Sequence, residues 1–427
     1  MYRWQQSLES NRGPHRLARR AASSSESQYR NSISFRFLMV LAVLAAPAIA
    51  QASESEDNDT FQLGATYVGE VWRNAAGGLR TGWRYLDKLD IRLEVNGERA
   101  WGLEGLTLFA DALYTNGHEL SADLIGDAQV ASNIEAAPHP LVYELWADWA
   151  FGPRADHSLR IGLYDLNSEF DSSEVAALFI NSAHGIGSQL AQTGTNGPSI
   201  FPVTSFGARL RISPAEHWAL LFAALDADPG NPWHPRRFEV DFAADEGLLL
   251  ATEVSRAFSA GARVALGGWR YTSRFDDLVE ADAQGAPRRG RGNGGVYLLV
   301  DAQIWESRRD TRRALKTYVR AGTANGHINR FDRFAGLGVV LTSPFGARAD
   351  DRLGLGLTVP RNGRAYRERQ RREGVDTESV EYAVELTYLM QLGPLSLQPV
   401  VEYIGNPDTR REVPNALAMG LRFSLER

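Results

Sequence analysis

Apolar and polar residues alternate along most of the chain beyond Phe61, with a period of two rather than that of a helix. One clear segment has an apolar face made of Val380, Tyr382, Val384, Leu386, Tyr388 and Met390. Its other face carries Glu381, Ala383, Glu385, Thr387 and Gln391. Such alternation indicates β-strands that meet apolar surroundings on one face and polar surroundings on the other.

Sixteen segments of this kind are predicted to be strands. They cover residues 61–71, 86–100, 106–116, 143–151, 158–168, 206–213, 218–227, 248–257, 261–272, 294–306, 315–326, 331–343, 350–360, 379–392, 395–405 and 415–425. No stretch beyond residue 61 has the run of apolar residues, about 20 long, that a membrane-spanning helix needs.

The connections between these strands alternate in length. Those after odd-numbered strands are mostly long, at 72–85, 117–142, 169–205, 228–247, 273–293, 361–378 and 406–414, with 327–330 as the exception. Those after even-numbered strands are short. Bacterial outer-membrane barrels have this arrangement, and a soluble β-sandwich has no reason to sort its loops by length.

We therefore predict an all-β fold, a transmembrane antiparallel β-barrel of about 16 strands with short periplasmic turns and long extracellular loops. A closed barrel leaves no strand edge unpaired in lipid. The barrel domain is expected to span residues 61–427, after a short polar segment at 51–60.

Residues 1–50 have the features of a leader with a signal peptide. Residues 37–50 form a short apolar run, Arg30 and Arg36 precede it, and it ends in Ala48-Ile49-Ala50. A basic region, a short apolar region and an A-x-A site together mark a secretory signal. Removal of residues 1–50, with their seven arginines and two glutamates, would change the net charge from −6 to −11.

Composition excludes several functions. The chain has no cysteine, so thiolate metal sites and cysteine nucleophiles are ruled out. A strongly acidic mature protein is a poor match for nucleic acid, which calls for a basic surface. Neither a metal nor a cofactor is predicted.

Charged residues on the inward face of the predicted strands indicate a wet interior. By alternation they are Arg92, Glu94, Glu144, Asp148, Arg160, Arg209, Arg211, Asp301, Arg320, Glu381, Glu385 and Arg422. Charges in a dry core would each cost several kcal/mol, and barrels of this size leave an aqueous channel. We predict a pore lined by Arg92, Glu94, Glu144, Trp146, Asp148, Arg160, Arg209, Arg320 and Glu385.

Motifs for catalysis are missing. The sequence has no H-E-x-x-H, G-x-S-x-G or P-loop motif, and its eight histidines are scattered. We therefore expect a channel rather than an enzyme. A barrel that carries a catalytic group at its rim stays an alternative, as does an adhesin.

The connection at 169–205 is the longest, and it holds apolar residues that need cover. Connections of this length are usually functional or disordered. We predict that it packs inside the lumen, with a short helix near residues 175–180. An external lid is the alternative.

Several segments resemble the carbohydrate-selective porin (OprB-type) family. They are SNIEA at 132–136, YELW at 143–146, GLYDLNSEF at 162–170, FIN at 179–181, Phe201-Pro202, EYIGNP at 402–407, Asn415-Ala416 and GLRF at 420–423. Their order and spacing extend the similarity over nearly all of the mature chain. A departure is the C-terminal FSLER, since outer-membrane barrels commonly end on an aromatic residue.

The resemblance implies a sixteen-stranded porin of the Gram-negative outer membrane that passes glucose-like and other sugars by facilitated diffusion. It also implies loops folded into the lumen, and we assign the constriction to Asn167, Glu169, Phe170, Phe179 and Asn181. Outer-membrane lipid and lipopolysaccharide are the expected surroundings, and monomer and homotrimer both stay open. A general diffusion porin without sugar preference is the alternative function.

The signal-like run predicts a mature N-terminus at Gln51 or a couple of residues later. N-terminal sequencing of the protein from outer-membrane fractions should find it there. Membrane-inserted protein that keeps residues 1–50 would contradict the assignment.

Overall fold

The computed structural model describes residues 59–117, 119–232, 247–259, 261–290, 292–346 and 348–427. The predicted leader and signal peptide at 1–50, and most of the polar segment at 51–60, lie outside these residues. The first strand begins at Phe61, where the sequence pattern places it.

The described residues form eighteen strands. They are β1 Phe61–Ala76, β2 Gly82–Asn96, β3 Leu106–Asn116, β4 His139–Phe151, β5 His157–Tyr164, β6 Ser205–Ile212, β7 Trp218–Asp226, β8 Leu248–Phe258, β9 Ala262–Tyr271, β10 Phe275–Ala281, β11 Pro287–Gly290, β12 Gly294–Glu306, β13 Ala314–Ala324, β14 Phe331–Thr342, β15 Arg352–Asn362, β16 Tyr382–Leu392, β17 Leu395–Gly405 and β18 Ala416–Glu426.

Sixteen of these strands close into an antiparallel barrel. Neighbours in the chain are neighbours in the sheet, except that β9 pairs with β12 because β10 and β11 form a separate hairpin. The ring closes where β1 pairs with β18, from Thr66 opposite Glu426 onward. The predicted fold class and strand number are confirmed.

The outer surface of the barrel is apolar. Residues such as Ile91, Leu266, Leu298, Leu337 and Leu386 are exposed there, each on the face opposite the inward charges. Aromatic residues mark its two ends: Trp83, Tyr382 and Tyr403 near the long loops, and Trp149, Phe151, Trp218, Phe258 and Trp305 near the short turns. An apolar band between two aromatic girdles suits a lipid bilayer.

The hydrophobic core lies inside the barrel. Inward-facing Val68, Trp72 and Leu86 are buried with Leu120 and Leu124 from the connection between β3 and β4. Two further clusters join the connection between β5 and β6 to inward residues of β7–β9 and β12–β14. Connections therefore fold onto the inner wall and bury apolar surface there.

One predicted long connection is wrong. The sequence pattern places a gap at 72–85, but β1 continues to Ala76 and β2 begins at Gly82, so only residues 77–81 connect them. Trp72 and Asn74 keep the inward alternation, and both are fully buried. The predicted strand end at residue 100 is also wrong, since residues Gly97–Trp101 form a short helix, α1.

Other connections contain structure that the pattern does not predict. The 273–293 connection holds the β10–β11 hairpin, and the 361–378 connection holds a helix, Arg364–Arg372. Most of the 228–247 connection lies outside the described residues. No helix in the described part of the chain combines the length and the apolarity needed to span a membrane.

Two glycines offer a matched test of topology. Gly285 lies at the tip of the β10–β11 hairpin and Gly393 in the turn between β16 and β17, at opposite ends of the barrel. Both have positive φ, and neither has an atom within 4 Å of the Cβ position. We expect an epitope tag after Gly285 to bind antibody on intact cells, and one after Gly393 only after permeabilisation. Equal labelling of both sites on intact cells would contradict the topology.

Candidate functional site

The long inner loop, residues 165–204, connects β5 to β6. It contains the 3-10 turns Leu166–Ser168 and Ala176–Leu178 and two short helices, α2 Ser182–Gly185 and α3 Ser188–Ala191. The predicted helix near 175–180 is thus a single 3-10 turn. Phe170, Phe179 and Asn181 of this loop are buried, although a loop on an outer surface would leave them exposed.

Strands β16 and β17 bind the middle of this loop. Glu385 accepts hydrogen bonds from the backbone N–H groups of Ile180 and Asn181, each at 2.9 Å. Glu402 accepts from the Asn181 side chain at 3.1 Å, and Gln398 donates to the Leu178 carbonyl oxygen at 2.7 Å. A loop that leaves β5 and bonds to β16 and β17 reaches the other side of the barrel.

Strand β13 binds the same loop through Arg320. Its guanidinium pairs with the Asp171 carboxylate at 2.8 Å and donates to the carbonyl oxygens of Asp171 and His184, each at 2.6 Å. Burial raises the pKa of Asp171, and Arg320 opposes that rise. Burial, with Arg320 beside it, lowers the pKa of His184 to about 3, so its ring is neutral and bonds to the Tyr318 hydroxyl.

A second inner loop, residues 119–138, packs beside the first. Glu381 accepts from the backbone N–H groups of Ala128 at 2.9 Å and Gln129 at 3.0 Å. The two loops also bond to each other, since Asn133 N–H donates to the Ile180 carbonyl oxygen at 2.9 Å. The wall carboxylates therefore hold both loops through backbone N–H groups.

Arg320 and Glu385 are expected from the sequence to line the water-filled pore, but the structure places both elsewhere. Both side chains are fully buried beneath the long inner loop. Both side chains form their hydrogen bonds with atoms of the long inner loop. The structure places them as anchors of the loop, and Asp301 joins them through a hydrogen bond from the Ser173 hydroxyl.

A charged cluster occupies the wall beneath the start of the long inner loop. Asp148, Arg160 and Arg209 lie opposite one another on β4, β5 and β6. Asp148 binds Arg160 at 2.9 Å and Arg209 at 2.6 Å. Glu169 of the loop binds Arg209 at 2.6 Å. Two arginines and two carboxylates are thereby fixed in one place.

An aromatic ring lies beside this cluster. The Arg160 guanidinium carbon is 3.7 Å from the centre of the Trp146 ring, and Trp146 stacks on Phe109 at 4.8 Å. Trp146 Nε1 donates to Glu144 at 3.3 Å. Together these groups place donors, acceptors and an aromatic ring at one site.

A cavity of about 360 Å³ opens next to these groups, toward the short turns. Trp146, Asp148 and Arg160 line it, with Arg211 and Thr107. Five of the residues predicted to line the pore, Glu144, Trp146, Asp148, Arg160 and Arg209, are gathered on β4–β6. Arg209 is fully buried, which differs from the expectation that it lines the pore, and it holds Asp148 and Glu169 in place.

The remaining predicted residues lie elsewhere. Arg92 on β2 is half-exposed and pairs with Asp111 at 3.4 Å, and Glu94 is exposed near the short turns. Asn167 donates within the long inner loop to the carbonyl oxygens of Phe170 at 3.0 Å and Gly185 at 3.2 Å. Asn167 therefore stabilises the loop's own conformation.

Sequence reasoning missed several buried anchors, of which Glu70, Asp171, Glu253 and Glu402 are the acidic ones. Glu70 pairs with Arg422 across the β1–β18 junction and accepts from the Ser132 hydroxyl at 2.7 Å. Alternation with Val68 and Trp72 could have placed Glu70 on the inward face. Nothing in the sequence could have identified its loop partner.

One group of metal-ligand type occurs in the described residues, at the long-loop end. Atoms of Asp277, Glu280 and His327 lie within 4.8 Å of one another. His327 Nδ1 is 3.3 Å from Asp277, and Leu278 N–H donates to the His327 carbonyl oxygen at 2.8 Å. These contacts fasten the β10–β11 hairpin to the connection between β13 and β14, and they account for the group without an ion.

Comparison with known proteins agrees with this architecture. The family described as carbohydrate-selective porin, OprB family, matches residues 80–426. Porin B of Pseudomonas aeruginosa is 26% identical over 390 residues, which cover 84% of this chain and 85% of that protein.

Solved structures share the fold. The high-pH structure of Pseudomonas putida OprB superposes with a TM-score of 0.78 at 19% identity, covering 86% of this chain and 94% of that one. The low-pH structure of the same protein gives a TM-score of 0.55 at 14% identity, over 86% and 93% of the two chains. By its barrel and its sequence, the chain belongs to the carbohydrate-selective porin family OprB of the outer membrane.

Proposed function

We propose that this porin passes glucose-like monosaccharides and small oligosaccharides by facilitated diffusion, through a lumen that the two inner loops narrow. The observation that carries the proposal is the cluster of Trp146, Asp148, Arg160, Arg209 and Glu169 beside the 360 Å³ cavity. Since the relatives are porins, we infer a channel without catalytic activity.

The chemistry of the cluster suits sugars. Sugar hydroxyls accept hydrogen bonds from guanidinium groups and donate to carboxylates. The C–H groups of a sugar can lie against the part of the Trp146 ring that Arg160 and Phe109 leave uncovered. Because Asp148 and Glu169 already hold both arginines, these groups are preorganised and lose little freedom when a sugar arrives.

Fixed charges also suit a channel that must release its solute. Arg160, which lines the cavity, is already paired with Asp148, so a passing hydroxyl replaces part of an existing hydrogen bond. Binding then stays weak, as transport requires. A dissociation constant in the millimolar range, about −4 kcal/mol, is expected.

The alternative is a general diffusion porin, in which the same charges sort ions and ignore sugar identity. The two functions differ in how current responds to solutes of equal size. Block of single-channel current by glucose, but not by a non-sugar polyol of similar size, supports sugar selectivity. Equal block by both supports the general porin.

Replacing the aromatic surface tests the sugar contact. We expect Trp146→Leu to weaken glucose block about tenfold, or about 1.4 kcal/mol, because leucine keeps apolar volume but gives no flat ring. Trp218→Leu is the matched control, since Trp218 lies on the outer surface near the short turns. Planar-bilayer titration with glucose and maltose measures both variants. Unchanged block in Trp146→Leu would contradict this sugar site.

Releasing the long inner loop tests the narrowing. Arg320→Met leaves the Asp171 carboxylate buried without its cation, a loss of about 3–5 kcal/mol for such pairs. We expect higher and noisier conductance, with faster hydrogen exchange in residues 171–187 and unchanged exchange in β1–β3.

The double variant Arg320→Met/Asp171→Asn serves as the control. It removes the uncompensated charge, so both conductance and exchange should return part of the way to the original protein. Arg320→Met with normal conductance and a protected loop would show that the loop neither depends on this anchor nor limits the pore.

A further inference from the structure

Two arginines point outward at the long-loop end of the barrel. Arg333 on β14 and Arg361 on β15 alternate with the inward residues Phe334 and Pro360 and share their face with Leu337 and Leu357. Tyr382 and Tyr403, of the aromatic girdle at this end, lie on the next two strands. The arginines therefore lie at the interface between the bilayer and water.

The two guanidinium groups extend from directly opposed positions. The β14–β15 register pairs Arg333 with Arg361, which places their Cα atoms about 5 Å apart. Like charges that face each other across a strand pair are destabilising. An anion that binds both side chains would remove that repulsion.

The described residues supply no such anion. In the part of the chain that the structure describes, neither arginine has an ion pair, a hydrogen bond or an aromatic partner. Nearby carboxylates of the connection after β15 are already taken by other arginines: Glu368 by Arg372, Glu373 by Arg369, and Asp376 and Glu378 by Arg411.

Arg256, on the outer face of β8 near the short turns, differs in this respect. Its guanidinium lies 5.2 Å from the ring centre of Trp218 and 4.8 Å from that of Phe258, so its charge is covered by aromatic rings. The charge of Arg256 is therefore covered, whereas those of Arg333 and Arg361 are not.

A third outward arginine extends the patch. Arg270 of β9 is exposed, has no partner among the described residues, and flanks a notch of about 540 Å³. The notch exists because Gly292 and Gly294 have no side chains to fill it, and Thr323, opposite Arg333, lines its other side. Space and positive charge therefore occur together on this sector of the wall.

We propose that Arg333 and Arg361 bind the phosphate of a lipid in the outer leaflet, with Arg270 and the notch beside it accommodating the rest of the headgroup. Arginine forks match phosphate oxygens in geometry and charge. A lipid fits better than a free anion because the pair lies beside the aromatic girdle, on a surface that faces the bilayer. The site is independent of the sugar path, since it lies on the other face of the wall.

Binding of purified lipid A to the detergent-solubilised barrel tests the proposal. We expect Arg333→Gln/Arg361→Gln to weaken binding about tenfold or more, while Arg256→Gln, the matched outward arginine at the other end, binds as the original protein does. Lipid A from which the phosphates have been removed should bind the original protein and the double variant equally. Inorganic phosphate should not displace lipid A.

Conductance and sugar block of the double variant should stay normal, which shows that the barrel has folded and separates this result from the sugar assignment. Undiminished lipid A binding by the double variant would overturn the proposal. So would an equal loss in Arg256→Gln, or displacement by inorganic phosphate, which would indicate a free-anion site.

Discussion

Closure of the barrel is the constraint on which the other features depend. In lipid, every backbone N–H and C=O group must find its partner within the protein, and the β1–β18 pairing satisfies the last two edges. Closure fixes which face of each strand meets lipid and which meets the interior. Apolar residues occupy the first face, and polar and charged residues are left for the second.

Buried charge on the inner face then determines the position of the loops. Glu253 is buried on β8, Glu385 on β16 and Glu381 directly before β16, and each accepts hydrogen bonds from the backbone of an inner loop. Such bonds satisfy the carboxylates and at the same time satisfy loop backbone that would otherwise be buried without partners. The wall and the loops therefore stabilise each other.

Strands could be predicted from the sequence because alternation is local, whereas the loop anchors could not. Ile180 and Glu385 are 205 residues apart in the chain, and no spacing rule joins them. The same limit explains why the sequence predicts Arg320 to line the pore. Its inward position follows from alternation, whereas its burial depends on Asp171, which lies far away in the chain. The early end given to β1 has another cause, since Arg73, Asn74, Gly77 and Gly78 make the stretch after residue 71 polar and rich in glycine, as loops are.

The position of the long inner loop across the interior of the working channel can be measured directly. Because the chain has no cysteine, an introduced pair can be cross-linked without ambiguity. Ser173→Cys/Asp301→Cys joins the loop to β12 at a hydrogen-bonded pair, and Gly285→Cys/Asp301→Cys is the control. We expect rapid cross-linking of the first pair alone, with single-channel conductance unchanged. Failure of that pair to cross-link while both thiols react with a label, or a large change in conductance on cross-linking, would contradict it.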